Sequence, residues 1–231
     1  AIPMESGLIG VYYNKDLFEK AGVKEFPETW TEFLDAIKKL KASGVIPIAM
    51  GTQTTYMAGH LHDQIFYKWL GTDAAKKLGS RDMKWTDPEV VETLQFVQDL
   101  IQKYHVMPSD EQTQAMAAGG NVFTTGRVAM TIDGAWSCTT MNEADFKWDI
   151  AATPIGSKHS IVLFVDGFGI GGKTQNADGG WEFIKWLYSD KDNYMEFLDA
   201  FTNYMTVPAV KSAEDDVKSI LSERFPEVRS E

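Results

Sequence analysis

The chain has 231 residues, 44% hydrophobic and 24% charged, enough for one large domain or two modest ones around a buried core. Its net charge of −11 argues against nucleic acid and against anionic lipid surfaces, both of which are bound through clusters of Lys and Arg. A single cysteine, Cys138, excludes an internal disulfide and a zinc site built on cysteines, and no run of apolar residues is long enough to span a membrane. Ala1-Ile2-Pro3-Met4-Glu5 has neither the basic nor the apolar region of a signal peptide, so any export signal is expected to have been removed or left out. Seven Trp residues need either a core or a binding surface to occupy.

In chain order, the β-prone run 7–13 predicts a buried strand. Asn14 or Asp16 caps a short helix over 17–20 that stops at Gly22. After Pro27, Thr29-Trp30-Thr31-Glu32 has the form of a capping box, and Phe33, Ile37 and Leu40 recur at helical spacing behind it until Gly44. Residues 46–50 predict a short strand, and the helix after Tyr56 carries Leu61, Ile65, Phe66, Trp69 and Leu70 on one side. Thr86-Asp87-Pro88-Glu89 starts another helix, continued by Val90, Leu94, Val97, Leu100 and Ile101. Residues 128–132 predict a strand that ends at Asp133-Gly134-Ala135-Trp136, and 148–152 and 161–168 predict two more. Helices over 181–188 and 194–201, a turn at Pro208 and a polar helical tail complete the chain. The alternation of strands and helices predicts α/β layers with a largely parallel or mixed sheet.

Several segments are more specific than this periodicity. Residues Tyr13-Asn14-Lys15-Asp16-Leu17-Phe18-Glu19-Lys20-Ala21-Gly22, followed by Pro27-Glu28-Thr29-Trp30-Thr31-Glu32-Phe33, closely resemble the bacterial family 1 extracellular solute-binding proteins. That group contains the maltose- and other sugar-binding components of ABC importers. Phe123-Thr124-Thr125-Gly126-Arg127-Val128-Ala129-Met130 resembles the family's Phe-x-x-Gly-x-x-Ala-Met, and Asp133-Gly134-Ala135-Trp136 its Gly-x-Trp turn. Asp166-Gly167-Phe168-Gly169-Ile170 and Trp181-Glu182-Phe183-Ile184-Lys185-Trp186-Leu187 resemble the returning strand and the helix after it.

The resemblance implies an α/β fold of the periplasmic-binding-protein type II, in which two lobes close on a ligand by hinge bending. Family members are longer, so it also implies an excerpt: 1–10 a hinge or crossing strand, 11–160 most of the second lobe, 161–207 a piece of the first lobe, and 208–231 a return toward the second. It implies capture of a small carbohydrate and delivery to the membrane permease of an ABC importer, outside the cytoplasm, in a free or lipid-anchored parent. No chemistry, cofactor, metal or nucleic acid is implied. Faces that the rest of a first lobe would cover are expected to be exposed and to favour self-association. The isolated chain is expected to bind no sugar detectably at micromolar concentration.

Sugars present C–H faces that stack on aromatic rings and hydroxyls that need partners once water is excluded. Trp136, reached through a Gly turn at a strand end, matches the family's stacking position; a bare Trp there reads as core packing. Tyr56, among Thr52, Gln53, Thr54 and Thr55, resembles a second aromatic contact, or staples a helix start. Gln53 and Glu5 offer hydrogen bonds to hydroxyls, although a charge so near a terminus also reads as frayed. Asp166 and Gly167 fall where the second crossing strand nears the ligand, and glycine lets it approach the backbone. Asp133 reads as a helix cap, and Trp30, Trp69, Trp181 and Trp186 sit at helical core spacing.

Three patterns point elsewhere. Residues 167–174 satisfy both Gly-x-x-x-x-Gly-Lys-[Ser/Thr] and Gly-x-Gly-x-x-Gly, but a phosphate cradle needs a helix N-terminus directly behind it, and the sequence predicts none before Trp181. His60 and His62 are two apart, face different sides of a helix and are expected at the surface rather than on one metal. The many carboxylates leave a glycoside hydrolase as the enzymatic alternative.

Overall fold

A computed structural model describes residues 1–49, 55–107, 121–158, 162–202 and 206–224. Strand β1 (Ile2–Asn14) begins well before the apolar run that predicts it. Its first half is extended because it finds partners far along the chain, a signal that local sequence does not carry. The chain falls into two compact units, Ile9–Val162 on one side and Ala1–Leu8 with Leu163–Glu231 on the other.

Within Ile9–Val162, the Asn14 side chain accepts a hydrogen bond from the Leu17 N–H and starts α1 (Lys15–Lys20). Helix α2 (Trp30–Ala42) opens on the complete capping box, in which Thr29 accepts from the Glu32 N–H and the Glu32 carboxylate accepts from the Thr29 N–H. Those contacts hold the Glu32 carboxyl below its ordinary value. The helix buries Phe33, Ala36, Ile37 and Leu40. Next come β2 (Ile46–Ile48), α3 (Thr55–Trp69), α4 (Gly71–Ser80) and α5 (Pro88–Gln102). Helix α4 is not evident in the sequence, because the residues it buries fully, Gly71 and Ala74, are small and its few apolar positions are outnumbered by polar ones.

After α6 (Asn121–Thr124), β3 (Val128–Gly134) is buried at every position, the pattern of a strand covered on both faces. A 3₁₀ turn (Ala135–Ser137), α7 (Cys138–Met141) and β4 (Trp148–Ala151) follow. The strand order is β2-β3-β1-β4. Among the described strands of this sheet, β2 and β3 run parallel and β1 is antiparallel to both β3 and β4, so the sheet is mixed.

In the other unit, the first half of β1 pairs antiparallel with β5 (Leu163–Phe168), from Ile2 opposite Phe168 to Leu8 opposite Leu163, with a bulge between Pro3 and Glu5. A proline lacks the N–H a regular ladder needs, which makes the bulge its natural place. Helices α8 (Ala177–Ser189) and α9 (Lys191–Thr202) precede β6 (Val207–Pro208), a 3₁₀ turn (Lys211–Ala213) and α10 (Glu214–Arg224). Leu187, Tyr194, Leu198, Ala213 and Val217 form the core. The Tyr194 hydroxyl donates to the Met4 carbonyl and accepts from the Ala209 N–H at 2.8 Å.

These contacts, with β6 paired to Glu5 and Ser6, place the described residues after Pro208 in this unit. The resemblance implies that 208–231 returns toward the second lobe. Two expectations are corrected here. Helix α8 starts at Ala177 rather than near Trp181, with Asn176 accepting from the Gly179 N–H at 3.1 Å. Its buried face is Ile184 and Leu187, which leaves Trp181 45% and Trp186 49% exposed rather than in a core. Among the described residues, no helix is long and apolar enough to cross a membrane.

Strand β1 also reaches the end of β3 through a side chain. The buried Tyr12 hydroxyl donates to the Gly134 carbonyl at 2.8 Å and lies 3.1 Å from Cys138 Sγ. Tyr12→Phe removes that donor from a buried carbonyl and is expected to cost about 1–3 kcal/mol. Urea unfolding should show a lower midpoint at unchanged slope, and an unshifted midpoint would refute the assignment.

Candidate ligand-binding site

Strand β3 ends in a buried carboxylate. Asp133 accepts from the Gly134 N–H at 2.8 Å through Oδ1 and from the Ser137 hydroxyl at 2.7 Å through Oδ2. The Trp136 side chain hydrogen-bonds to the same carboxylate, and its indole N–H is the only donor it has. Burial raises the Asp133 pKa, and these three donors with the nearby His60 lower it; the desolvation dominates, so the net shift is upward. Asp133 is thus not the helix cap the sequence suggests, since Gly134 and Ser137 hold the cap positions without side-chain capping bonds. It lies within β3, ties the start of the turn together and orients the tryptophan.

Glycine at 134 is required by that orientation. A Cβ there would overlap the six-membered ring of Trp136, which lies back over the Gly134 backbone. The indole is thus held by a hydrogen bond to one neighbour and by contact with the next, and it remains 39% exposed.

The first turns of α3 supply two more rings. Tyr56 and His60 are four residues apart, on one side of the helix, with centroids 5.4 Å apart. His60 lies 5.9 Å from Trp136 at an interplanar angle of 54°. The result is a row, Tyr56–His60–Trp136, whose outer rings are accessible, Tyr56 at 55%, and whose middle ring is only 8% exposed. His60 is therefore not the surface residue the sequence suggests. Its Nδ1 is buried without a hydrogen-bond partner, and burial holds the imidazole below its usual pKa against the opposing pull of Asp133 and Asp63. Searching histidines for metal spacing misses it; the Tyr56/His60 spacing of four was the available signal. His62 points elsewhere, 3.1 Å from the Thr93 hydroxyl. Among the described residues, no three His, Cys, Asp or Glu side chains group as a metal site.

Gln53 lies outside the described residues, as do its Thr52 and Thr54 neighbours. Glu5, Asp166 and Gly167 belong to the unit of Ala1–Leu8 and Leu163–Glu231. Glu5 is buried and ordered within β1, opposite Asp166, and its carboxylate accepts from the Thr206 hydroxyl, so it is no frayed terminal charge. Asp166 is exposed. At Gly167 a Cβ would stand 2.7 Å from the Ile2 carbonyl oxygen, so close strand packing alone accounts for that glycine. Cys138 is buried and free, its thiol pushed up to about 11 by burial.

Comparison with known proteins bears on this arrangement. Residues 2–194 match the model of the bacterial extracellular solute-binding protein family. The chain belongs to that family. A multiple sugar-binding protein of Streptococcus mutans is 24% identical over 96% of this chain and 54% of its own length. An sn-glycerol-3-phosphate-binding periplasmic protein of Escherichia coli is 30% identical over 66% of this chain and 35% of its own. An ABC substrate-binding protein of Listeria monocytogenes, solved with cycloalternan, superimposes with a TM-score of 0.72 at 20% identity, covering 98% of this chain and 56% of that one. The fold is thus that of the periplasmic-binding-protein-like group, and the chain spans about half the length of the first of these relatives.

The family consists of solute-binding proteins, not enzymes, and this decides against the hydrolase and nucleotide-binding alternatives. The glycine-rich stretch has a local reading in this solute-binding protein. The Thr174 N–H donates to the Gly171 carbonyl at 3.0 Å to close a turn, and Asn176 fills the helix cap that follows.

The geometry at Gly134 yields a direct test. Gly134→Ala should expel the indole from its place over the backbone and break its bond to Asp133. Its Nε1–H resonance, assigned among the seven tryptophans with Trp136→Phe, should move in a ¹H–¹⁵N spectrum. An unmoved resonance contradicts this account of the turn.

Proposed function

We propose that this chain captures a small neutral carbohydrate outside the cytoplasm and passes it to the permease of an ABC importer. The observation that carries the reading is the pair of accessible rings, Trp136 and Tyr56, fixed on either side of a buried His60. Flat, pre-oriented aromatic faces suit the C–H faces of a pyranose, and rigid placement lowers the entropy lost on binding. A multiple sugar-binding relative and a structural neighbour solved with cycloalternan support the same class. In this reading residues 11–160 are second lobe and 161–207 first lobe, and closure of the lobes is the capture step.

The glycerol-phosphate-binding relative raises a second ligand class. A phosphate needs cationic or multiple N–H partners. The charged groups acting at the described row are Asp133 and Asp63, both anionic, beside a histidine whose burial favours the neutral form. That electrostatic setting repels a phosphate and tolerates a neutral sugar.

The test is a panel of neutral oligosaccharides and glycerol phosphate at millimolar concentration, read from the Trp136 indole resonance and accompanied by a product assay. Saccharides should shift the resonance saturably, without product, and glycerol phosphate should not. Trp136→Ala, whose binding is read by calorimetry because the reporting indole is gone, should weaken saccharide binding by about tenfold or more, the scale of losing a central aromatic contact. Wild-type affinity in that variant would remove the aromatic row from the site, and turnover would overturn capture altogether.

A further inference from the structure

The aromatic row contains a group that stacking alone does not explain. His60 is buried between Tyr56 and Trp136, with Nδ1 sealed from solvent and unpartnered. For ring packing alone, a phenylalanine would fill the same place without an unsatisfied nitrogen. The charged groups acting on the imidazole are Asp133 from β3 and Asp63 from its own helix, and neither α4 nor α5, which flank α3, contributes one. Asp133 is the carboxylate that also holds the Trp136 indole.

We propose that His60 is the positioning residue of the aromatic row, coupling its own proton to the orientation of Trp136. The inference rests on the saccharide reading only for its consequence on binding. Neutral, His60 fills the space between the outer rings and leaves Asp133 to the indole N–H. When it gains a proton from solvent, an imidazolium attracts a carboxylate whose oxygens already serve three donors. A charged N–H is the stronger donor to a carboxylate, and burial raises the strength of the pairing. The Asp133 carboxylate turns toward the imidazolium, the indole loses its hydrogen bond, and the stacking face at Trp136 loses its fixed orientation.

The direction with pH follows from burial. Desolvation is the leading influence on His60 and holds its folded-state pKa below the ordinary value of 6.5. A group with a depressed folded-state pKa that works in its neutral form favours the folded arrangement above its unfolded value. That contribution disappears as pH falls through the folded-state value. The arrangement is therefore intact at neutral pH and lost in acid. Saccharide affinity should be flat above pH 6.5 and fall below the folded-state value of His60, by at most about tenfold per pH unit for one coupled proton.

The experiment follows the His60 Cε1–H and Trp136 Nε1–H resonances of the ligand-free chain from pH 8 to pH 4. In the wild type the two should titrate with one midpoint. His60→Phe keeps the ring and removes the proton, so its indole should lose that transition. Asp133 can itself titrate in acid, and an indole transition surviving at the same midpoint in His60→Phe would assign the effect to Asp133 and overturn the proposal. So would a wild-type indole resonance that stays flat through the His60 midpoint, a result that needs no variant to fold. Repeating the titration with a saturating oligosaccharide separates the two readings. Matched midpoints without any saccharide response would keep the coupling and sink the carbohydrate assignment.

Discussion

One strand organises this chain. β1 pairs with β3 and β4 through its second half and with β5 and β6 through its first, so four strands share its backbone donors and acceptors. The two compact units divide it between Leu8 and Ile9. Two of its glycines are placed by packing: a Cβ at Gly7 would overlap the Phe164 ring, and one at Gly10 would stand 2.8 Å from Ile150 Cγ1. Small residues on β1 thus make room for large ones on its partners, and register is fixed by that fit as much as by the ladder itself. From the same strand, Tyr12 reaches the Gly134 carbonyl and fixes the backbone from which the candidate site projects.

At the end of β3, the opposing influences of burial and hydrogen bonding on Asp133 show how the turn is held. A carboxylate taken out of water loses hydration that three hydrogen bonds do not fully replace, so its pKa lies above the ordinary aspartate value. As a device for stability alone this is a poor choice, since a well-packed apolar residue would avoid the loss. As a device for orientation it is effective. One carboxylate joins the start of the turn, its hydroxyl and its indole, and Gly134 removes the atom that would obstruct the ring. A wall that must present a flat face to a ligand benefits from that rigidity.

Much of the architecture was legible locally, and the failures share a cause. Asn14, Thr29 with Glu32, and Pro88 each mark a helix start through chemistry confined to a few neighbouring residues, and each does so in the structure. Trp136 and Tyr56 were legible as candidates because the resemblance supplied what spacing could not. The positions misread depend on partners distant in sequence. The first residues of β1 are extended because of β5, and His60 is covered by Trp136 from a different element. Trp181 and Trp186 fit a helical spacing, but periodicity does not say which face is covered, and Ile184 with Leu187 takes that role. Helix α4 fully buries only the small Gly71 and Ala74, which give no strong apolar signal.

On the carbohydrate reading, the same geometry divides the work of recognition. Three donors already use the Asp133 carboxylate, which is itself buried, so it has little capacity left for a ligand hydroxyl. His60 is buried, with its Nδ1 out of reach of solvent. The row therefore offers two apolar faces and little hydrogen-bonding capacity, and it answers to the C–H face common to many pyranoses rather than to one pattern of hydroxyls. Discrimination among sugars then falls to polar groups beyond the row, where each hydroxyl left unpaired on binding is costly and each one matched is selective. On that reading aromatic faces set the class of ligand, and hydrogen-bonding partners beyond the row set its identity.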